Sequence, residues 1–344
     1  MSSPYPQWRV LVIGCGSIGR RHLQNLLTLG QRDVRVVETN PGVLKRTCHE
    51  FGVEGWSDLQ EALAWAPEAA IVANPTASHV PTALALARAG CHLLIEKPLS
   101  DAVEGTEEFV RLVHAKRLVT LVGCNMRFHP GPARVKALIQ SGELGPLLGG
   151  RLEVGSYLPD WHPGTDYRQS YSARTELGGG CVLDAIHELD LACWFFGWPL
   201  EVVAMIRSGQ TLDIETEELG EILLRFDGER ICSVHQDYVQ RWRQRRCEVI
   251  GEQGTVTWES RQHAVSEVLA GASQPHRWEY GSPYDPNTMY QEELRHFLAC
   301  LETGIPSCAD VEWGLQVMRV ALLAKQSARD RQVVMVPSLV PWSS

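Results

Sequence analysis

The chain has 344 residues, of which 44% are hydrophobic and 21% charged, so it is long enough to form two globular domains. Its net charge of −9 and its pI near 5.8 exclude the basic surface that attracts nucleic acid or an anionic membrane. The ten cysteines show no zinc-binding spacing, the amino-terminal segment lacks the pattern of a signal peptide, and no apolar run is long enough for a membrane helix. We therefore predict a cytoplasmic protein with reduced thiols and no metal site.

The first third of the chain alternates short apolar runs with segments of helical periodicity. The runs are rich in Val, Ile and Leu, as expected for strands that are buried on both faces. They cover residues 9–14, 33–38, 69–74, 92–97 and 118–123. This alternation predicts an α/β domain with a doubly wound parallel sheet over residues 1–124.

A glycine-rich turn, "GCGSIG", joins the first run to a helical segment. Gly14 permits the tight turn, Gly16 lets backbone approach a pyrophosphate, and Gly19 lets the helix pack against the strand. The start of the helix attracts the anion. The predicted dinucleotide contacts in this turn are Gly14, Gly16, Ser17, Ile18 and Gly19.

An acidic residue, Glu38, ends the next predicted strand, 19 positions after Gly19. A carboxylate there can accept hydrogen bonds from ribose hydroxyls and repels a 2'-phosphate, which favours NAD over NADP. NADP stays possible as the cofactor, because three cations lie close to Glu38 in sequence: Arg35, Lys45 and Arg46.

Two further segments follow strands whose carboxyl ends form the ligand-binding edge of such a sheet. They are "NPTASH", residues 74–79, and "EKP", residues 96–98. A lysine at position 97 can lie beside a nicotinamide and exchange a proton with a substrate hydroxyl; the alternative is a solvated residue paired with Glu96. His79 could contact the cofactor, or it could have a purely structural role. The predicted cofactor contacts here are Asn74, Pro75, Thr76, His79, Glu96 and Lys97.

After residue 124 the pattern changes to loops rich in Pro, Gly and Tyr, a helix after residue 178, and then stretches that alternate with period two. Such alternation predicts a large, mostly antiparallel open sheet. The stretches cover residues 201–208, 220–227, 230–239, 246–251 and 254–259, followed by helices at 287–303 and 310–328 and a strand at 332–337. Residues 125–344 are therefore predicted to form an α+β domain.

The segment "GGGCVLDAIHELD", residues 178–190, places three glycines before titratable residues at helical spacing. On one continuous helix, Asp184 shares a face with His187 and Glu188. A neighbouring carboxylate would orient the imidazole, which could then accept a proton as a secondary alcohol becomes a ketone. The glycines would leave room for substrate. The alternative is a polar stripe on a surface helix.

The preceding stretch, residues 156–180, is long and dense in polar and aromatic side chains. A sugar needs a flat apolar surface and groups that hydrogen-bond its hydroxyls, so we interpret this stretch as a substrate loop and keep a packed surface loop as the alternative. The predicted substrate contacts are Trp161, Tyr167, Arg168 and Tyr171, complemented by Asp160, His162 and Asp166.

A cluster of four arginines occurs further along, in "QRWRQRRCE". It could bind the diphosphate of a nucleotide-linked sugar, or it could form a solvated strand face or an oligomer contact. Its members are Arg241, Arg243, Arg245 and Arg246.

Five motifs occur in the order "VIGCGSIGRRH", "NPTASH", "IEKPLS", "GCNMRF" and "GGGCVLDAIHELD". With them, essentially the whole chain resembles the glucose-fructose oxidoreductase/inositol dehydrogenase family, often called Gfo/Idh/MocA. The resemblance implies an amino-terminal NAD(P)-binding Rossmann domain. It also implies a carboxyl-terminal domain whose open antiparallel sheet covers the active site and often builds an oligomer interface.

The resemblance also implies roles for single residues. Lys97 matches the lysine that sits at the nicotinamide and assists proton transfer, with the bond before Pro98 often cis. Asp184 and His187 match residues that bind the reacting sugar or cyclitol, although the common family pattern, D-x-G-x-H, places the histidine four positions after the aspartate. Here it follows after three, and Glu188 holds the fourth position.

At the predicted domain joint, Asn125 and Arg127 match the family's asparagine-arginine motif. The resemblance implies that they position the nicotinamide or the mouth of the substrate site; a structural hinge is the alternative.

These features predict an NAD-dependent dehydrogenase that acts on a sugar, a nucleotide-linked or amino sugar, or a cyclitol, with Lys97, Asp184 and His187 as catalytic residues. We expect a homodimer or homotetramer formed through the carboxyl-terminal sheet. One alternative is a redox-neutral epimerase or eliminating enzyme that regenerates its NAD. Another, suggested by the shifted histidine, is a cofactor-binding sensor without catalysis.

Overall fold

The apolar runs of the first third form a six-stranded parallel sheet in the computed structural model, which describes residues 5–337. Its strands are β1 (Val10–Ile13), β2 (Val34–Val37), β3 (Gly55–Trp56), β4 (Ala69–Val72), β5 (His92–Ile95) and β6 (Thr120–Val122). They are ordered β3-β2-β1-β4-β5-β6. Every residue of β1 and β4 is buried, as the uniformly apolar runs predicted. The predicted α/β fold with a doubly wound parallel sheet is confirmed.

Helices connect these strands as crossovers. They are α1 (Ser17–Thr28), α2 (Pro41–Phe51), α3 (Leu59–Leu63), α4 (His79–Arg88) and α5 (Thr106–Lys116). Because the sheet is parallel, the carboxyl ends of its strands lie on one edge. The glycine turn, the "NPTASH" segment and the "EKP" segment follow β1, β4 and β5 at that edge. This is the edge at which open α/β sheets bind their ligands.

The rest of the chain contributes helices and a second sheet. The helices are α6 (Pro130–Ser141), α7 (Cys181–Asp184), α8 (His187–Phe196), α9 (Asn287–Thr303) and α10 (Val311–Asp330). The strands are β7 (Leu147–Gly155), β8 (Glu201–Ser208), β9 (Glu217–Arg225), β10 (Ile231–Asp237), β11 (Gln244–Gly251), β12 (Gly254–Glu259), β13 (Ala264–Leu269), β14 (His276–Glu279) and β15 (Val334–Met335). None of the helices in the described range is long and apolar enough to cross a bilayer.

The second sheet has the order β14-β13-β12-β11-β7-β10-β9-β8-β15. Its neighbouring strands are antiparallel except β7 and β10, which run parallel, so the predicted mostly antiparallel sheet is confirmed. Strand β7 was not predicted, because Gly149 and Gly150 interrupt its apolar alternation. A side chain at either position would collide with Ile231 or Phe196, so close packing explains the two glycines.

Contacts divide the chain into two units. In the described range, one comprises residues 5–125 together with Asn287–Gln316, and the other comprises Met126–Pro286 together with residues 317–337. The division of the chain into domains at 1–124 and 125–344, whose first four and last seven residues lie outside the described range, stays a prediction.

The prediction of one continuous helix through Asp184 and His187 is wrong. Helix α7 ends at Asp184, Ala185 leaves the helical conformation (φ −91°, ψ 30°), and α8 begins at His187. The side chain of Gln236 in β10 donates a hydrogen bond to the Ala185 carbonyl at 2.5 Å. The same carbonyl also accepts a 3.3 Å hydrogen bond from the Glu188 amide, so the contact with the sheet adds to the bonds that stabilise the break.

Candidate active site

The glycine turn after β1 is tightly packed on one side and open on the other. Gly14 has a φ of +89°, and a Cβ on it would lie 2.7 Å from the Ala73 carbonyl oxygen. A Cβ on Gly19 would lie 1.9 Å from the Gly14 oxygen, whereas one on Gly16 would meet no atom within 4 Å. No side chain in the described range caps the start of α1 at Gly16. The turn therefore leaves room for a phosphate group, and the first amides of α1, including those of Ser17 and Ile18, can bind it.

The Glu38 carboxylate is held at the end of β2 by two backbone amides. Oε2 accepts a hydrogen bond from the Cys15 amide and Oε1 accepts one from the Asn40 amide, each at 2.9 Å. Because a carboxylate has further lone pairs, Glu38 can still accept hydrogen bonds from ribose hydroxyls. The glycine turn and this fixed acceptor fit a dinucleotide.

Arg35, one of the cations that leaves NADP open, is engaged by protein groups. Its guanidinium lies 5.4 Å from the ring centre of Trp56 and 4.7 Å from that of Trp65. It also forms a 3.0 Å ion pair with Glu54. These contacts favour NAD, because they occupy the guanidinium that a 2'-phosphate would need.

Two substitutions separate the ligand-facing glycine from the packing glycine. Gly16→Ala is expected to raise the Kd for NADH about tenfold or more at unchanged stability, because its methyl group enters the open space at the turn. Gly19→Ala is expected to lower the free energy of unfolding by about 1–3 kcal/mol through its clash with Gly14. Fluorescence titration with NADH and thermal unfolding measure the two effects, and an unchanged Kd in Gly16→Ala would contradict the assignment.

The "NPTASH" and "EKP" segments are joined by the buried imidazole of His79. Its Nδ1 contacts the Pro98 carbonyl oxygen and its Nε2 the Asn74 carbonyl oxygen, each at 2.8 Å. Burial lowers the pKa of His79, against the effect of these two hydrogen bonds. The ring thus braces two ligand-edge loops. The peptide bond between Lys97 and Pro98 is cis.

The other predicted residues of these loops differ in exposure. Thr76 is buried and Pro75 is exposed, while the Asn74 side chain donates to the Thr82 hydroxyl at 2.9 Å. Asn125 is buried. The Glu96 carboxylate points into the interior, where it lies 2.7 Å from Nε2 of His22.

In the second unit, three hydroxyl groups converge on the buried carboxylate of Asp184. The Ser172 hydroxyl donates to it at 2.8 Å, the Tyr238 phenol at 2.9 Å, and the Tyr171 phenol contacts its other oxygen. Hydrogen bonds of this kind stabilise the ionised carboxylate. Burial raises the pKa of Tyr238, and the charge of Asp184 adds to that effect, so this phenol remains a donor.

Two aromatic rings of the predicted substrate loop contact the Asp184 site, Tyr171 at the carboxylate itself and Trp161 at Tyr238. Trp161 packs edge-on against Tyr238 with 5.4 Å between ring centres, and its indole donates to the Ser156 hydroxyl at 3.0 Å. Trp161 and Tyr171 are each 38% exposed, so each presents part of its ring to solvent. Such partly exposed rings beside a fixed acceptor suit the flat apolar face and the hydroxyls of a sugar ring.

Tyr167 and Arg168 bind a different part of the second unit. The Tyr167 phenol donates to the Leu212 carbonyl at 2.8 Å, and the Arg168 guanidinium pairs with Asp166 at 2.9 Å and with Asp213 at 3.5 Å. The hydrogen bond from Arg168 lowers the pKa of Asp166. These contacts tie the loop to residues 212–213.

His187 is buried at the start of α8, and arginines bind the two acidic residues that follow it. Glu188 forms a 2.8 Å ion pair with Arg245. Asp190 accepts two hydrogen bonds from the Arg127 guanidinium, at 3.0 Å and 2.6 Å. Both carboxylates therefore hold arginines in the interior of this unit.

The arginine cluster around β11 is engaged by protein groups. Arg246 lies 3.7 Å from Glu153 and from Glu248, and Arg241 stacks 3.9 Å from the ring centre of Tyr157. Together with the pair formed by Arg245, these contacts favour the strand-face alternative over a diphosphate site.

Sequence reasoning missed Ser172 and Tyr238, which complete the Asp184 site. Ser172 adjoins the predicted Tyr171 and offered a local signal. Tyr238 follows β10, 54 positions after Asp184, and only the path of the chain brings the two together.

Family comparisons cover both halves of the chain. Residues 8–124 match the family described as "Oxidoreductase family, NAD-binding Rossmann fold", and residues 133–257 match the "GFO/IDH/MocA C-terminal domain". Among characterised relatives, "Myo-inositol dehydrogenase Hyg17" of Streptomyces leeuwenhoekii is 27% identical, over 95% of this chain and 99% of the relative. The "scyllo-inositol 2-dehydrogenase (NAD(+))" of Bacillus subtilis (strain 168) is 26% identical, over 94% and 95% of the two chains.

Solved structures share the fold. "Levoglucosan dehydrogenase, complex with NADH" superposes with a TM-score of 0.88 at 20% identity, covering 97% of this chain and all of the other. GenD2 from gentamicin A biosynthesis, solved in complex with NAD, gives a TM-score of 0.82 at 24% identity and covers 98% and 99% of the two chains. With the glycine turn, the fixed Glu38 and both family matches in place, the chain belongs to the GFO/IDH/MocA family of NAD-binding oxidoreductases.

Proposed function

We propose that this oxidoreductase uses NAD to oxidise a secondary alcohol of a sugar or cyclitol. The observation that carries the substrate class is the Asp184 carboxylate, held by three hydroxyl donors beside the partly exposed rings of Trp161 and Tyr171. Relatives named as inositol dehydrogenases support the same class. We also propose that residues 1–124 bind the cofactor and that residues 125–344 bind the substrate.

Bound NAD supplies a nicotinamide ring that accepts a hydride from the alcohol carbon. The protein's part is to hold the cofactor: the glycine turn and the first amides of α1 bind the pyrophosphate, and Glu38 binds ribose hydroxyls. The remaining proposed cofactor contacts are Asn74, Pro75, Thr76, His79, Glu96, Lys97, Asn125 and Arg127. His79 acts indirectly, because it holds the two loops that contact the cofactor. Arg127 is also a proposed substrate contact.

Lys97 and His187 handle the hydroxyl proton in this proposal, and Asp184 orients the substrate hydroxyl. Glu188 occupies the position where the family pattern has its histidine, but its carboxylate is paired with Arg245. His187 is therefore the better proton acceptor of the two. Trp161 and Tyr171 contact the ring of the substrate, and Tyr167 and Arg168 shape its loop.

The engaged arginines around β11 favour a free sugar or cyclitol over a nucleotide-linked one, because a diphosphate would compete with Glu188, Glu153 and Glu248 for them.

A panel of inositols and free sugars, incubated with NAD and followed by NADH absorbance, tests the function. We expect NADH formation with at least one of these secondary alcohols. Product without net NADH would instead indicate the redox-neutral enzyme. NADH binding without any product across the panel would indicate the sensor and contradict the proposal.

We further propose a cytoplasmic homodimer or homotetramer that associates through the open face of the nine-stranded sheet. Met205 is 80% exposed there, Leu223 48% and Ile231 53%. Leu223 lies opposite Val203 in β8 and Ser233 in β10, so these side chains share one face. An exposed apolar band on a sheet is typical of a protein interface. None of the ten cysteines, all of which lie in the described range, forms a disulfide, which fits a reducing compartment.

Leu223→Glu is expected to convert the oligomer into a monomer, because it places a charge in the centre of that face. Light scattering coupled to size-exclusion chromatography measures the mass. Ile305→Glu, at an exposed apolar residue of the first unit, is the matched control and should leave the mass unchanged. A monomeric wild-type protein would contradict the proposal.

The same sheet carries a histidine that makes stability depend on pH. Hydrogen bonds to Asp237 and Glu221 raise the pKa of His235 to about 9, against the effect of burial. A raised pKa means that the stabilisation is fully present below about pH 6.5 and is lost as the pH rises through 9. We expect urea unfolding to show a loss of about 1–2 kcal/mol across this window, and His235→Gln to remove it. An equal loss in the variant would assign the effect to other groups.

A further inference from the structure

A second cluster of titratable groups lies in the first unit, beneath the loop that carries Lys97. It consists of His22 from α1, Glu96 after β5 and Glu293 from α9. One side-chain nitrogen or oxygen from each lies within 4.8 Å of those of the other two. His22 and Glu293 are 0% exposed and Glu96 is 5% exposed. The roles proposed for the cofactor and the substrate leave Glu293 unexplained.

The two carboxyl groups differ in what binds them. Glu96 has the imidazole of His22 at 2.7 Å and accepts a hydrogen bond from the Lys97 amide at 3.2 Å. Neither oxygen of Glu293 has a hydrogen-bond partner among residues 5–337, and within that range Glu293 forms no ion pair. An ionised carboxylate buried in this way is strongly unfavourable, and a proton relieves the penalty.

The surrounding positive charges act on Glu96, whereas the charge that acts on Glu293 is the negative one of Glu96. Lys97 and His79 lie close enough to Glu96 to favour its ionised form. On α9, the ring centre of Tyr290 lies 4.6 Å from the guanidinium of Arg21 in α1, and Glu292 pairs with Arg295. Burial raises the pKa of Glu293, and the charge of Glu96 raises it further, whereas the pKa of Glu96 is lowered by His22 and Lys97 despite burial. When environments separate two pKa values in this way, the groups take different protonation states.

The short contact in the cluster is a hydrogen bond. Ligand atoms about 2.0–2.1 Å from a tetrahedral cation lie about 3.3 Å apart, whereas Nε2 of His22 and Oε1 of Glu96 are 2.7 Å apart. A proton therefore fits the cluster better than a metal ion.

We propose that Glu293 is a neutral carboxylic acid at neutral pH and acts as a positioning residue, so that Glu96 is the charged one of the two carboxyl groups in this cluster. This rests on the proposed function in one respect, that Lys97 handles the substrate proton. Two ionised carboxylates would hold the ammonium form of Lys97 more strongly, and a neutral Glu293 keeps that effect to one charge.

Infrared spectroscopy at pH 7 tests the protonation state without turnover. The wild-type protein should show the carbonyl stretching band of a protonated carboxylic acid, Glu293→Gln should lose it, and Glu96→Gln should keep it. A missing band in the wild-type protein would overturn the proposal, and so would one equivalent of tightly bound metal by elemental analysis. The infrared test of the protonation state remains valid even if the protein oxidises no alcohol.

The matched pair of Glu→Gln variants tests the effect on Lys97. Glu96→Gln should move the limb of the kcat/KM profile that reports Lys97 to lower pH by about half a unit or more, because it removes a negative neighbour. Glu293→Gln exchanges one neutral group for another of the same shape and should leave that limb in place. Equal shifts in both variants, or no shift in either, would overturn the proposal. Thermal unfolding of each variant confirms that the comparison is made on folded protein.

Discussion

Replacing Lys97 with methionine is expected to lower kcat about a hundredfold or more, while the enzyme still binds NADH. Lys97 is the second residue after β5, at the ligand edge of the parallel sheet and in a loop braced by His79. Methionine keeps a similar length and apolar stem but cannot exchange a proton. The loss should therefore appear in kcat, with a small change in the Kd for NADH.

Steady-state kinetics and NADH titration measure the two quantities. Lys116→Met is the matched control, because the Lys116 amine donates to the Arg88 carbonyl at the end of α4, away from the ligand edge. Its kcat should stay within about twofold of the wild type. A Lys97→Met enzyme with wild-type kcat would refute the proton-transfer role.

The parallel sheet could be predicted from the sequence because its strands are buried on both faces. Uniform runs such as residues 69–72 then carry the signal without any knowledge of neighbours. Strand β7 could not be predicted, because Gly149 and Gly150 are needed for close packing against the side chains and backbone of distant segments. The local sequence pattern predicts well whether a residue is buried, but it does not predict which distant segment packs against that residue.

The candidate site shows the same limit. The motif residues could be named, since glycine turns and strand-end polar residues have local signatures. The break at Ala185 depends on Gln236, 51 positions later, and Asp184 owes one of its hydrogen bonds to Tyr238. The surroundings of Asp184 therefore include a residue, Tyr238, from a stretch that sequence reasoning assigned only to the sheet.

The buried ion pair between Arg127 and Asp190 leads to the second large effect. Arg127→Met is expected to lower the free energy of unfolding by about 3–5 kcal/mol, because the fully buried Asp190 carboxylate loses both of its hydrogen bonds to the guanidinium. Arg127 also stacks over Trp194 at 5.3 Å, and methionine preserves part of that packing. Urea unfolding measures the change.

Two further variants separate the charge effect from a packing effect. Arg127→Met combined with Asp190→Leu should recover most of the lost stability, since it removes the buried carboxylate together with its partner. Arg151→Met, which breaks an exposed pair with Glu248, should cost at most about 1 kcal/mol. The resemblance implies that Arg127 also positions the nicotinamide or the substrate. If that were its main role, Arg127→Met would unfold like the wild type and raise the KM for NAD or substrate, so stability and KM together decide between the two roles.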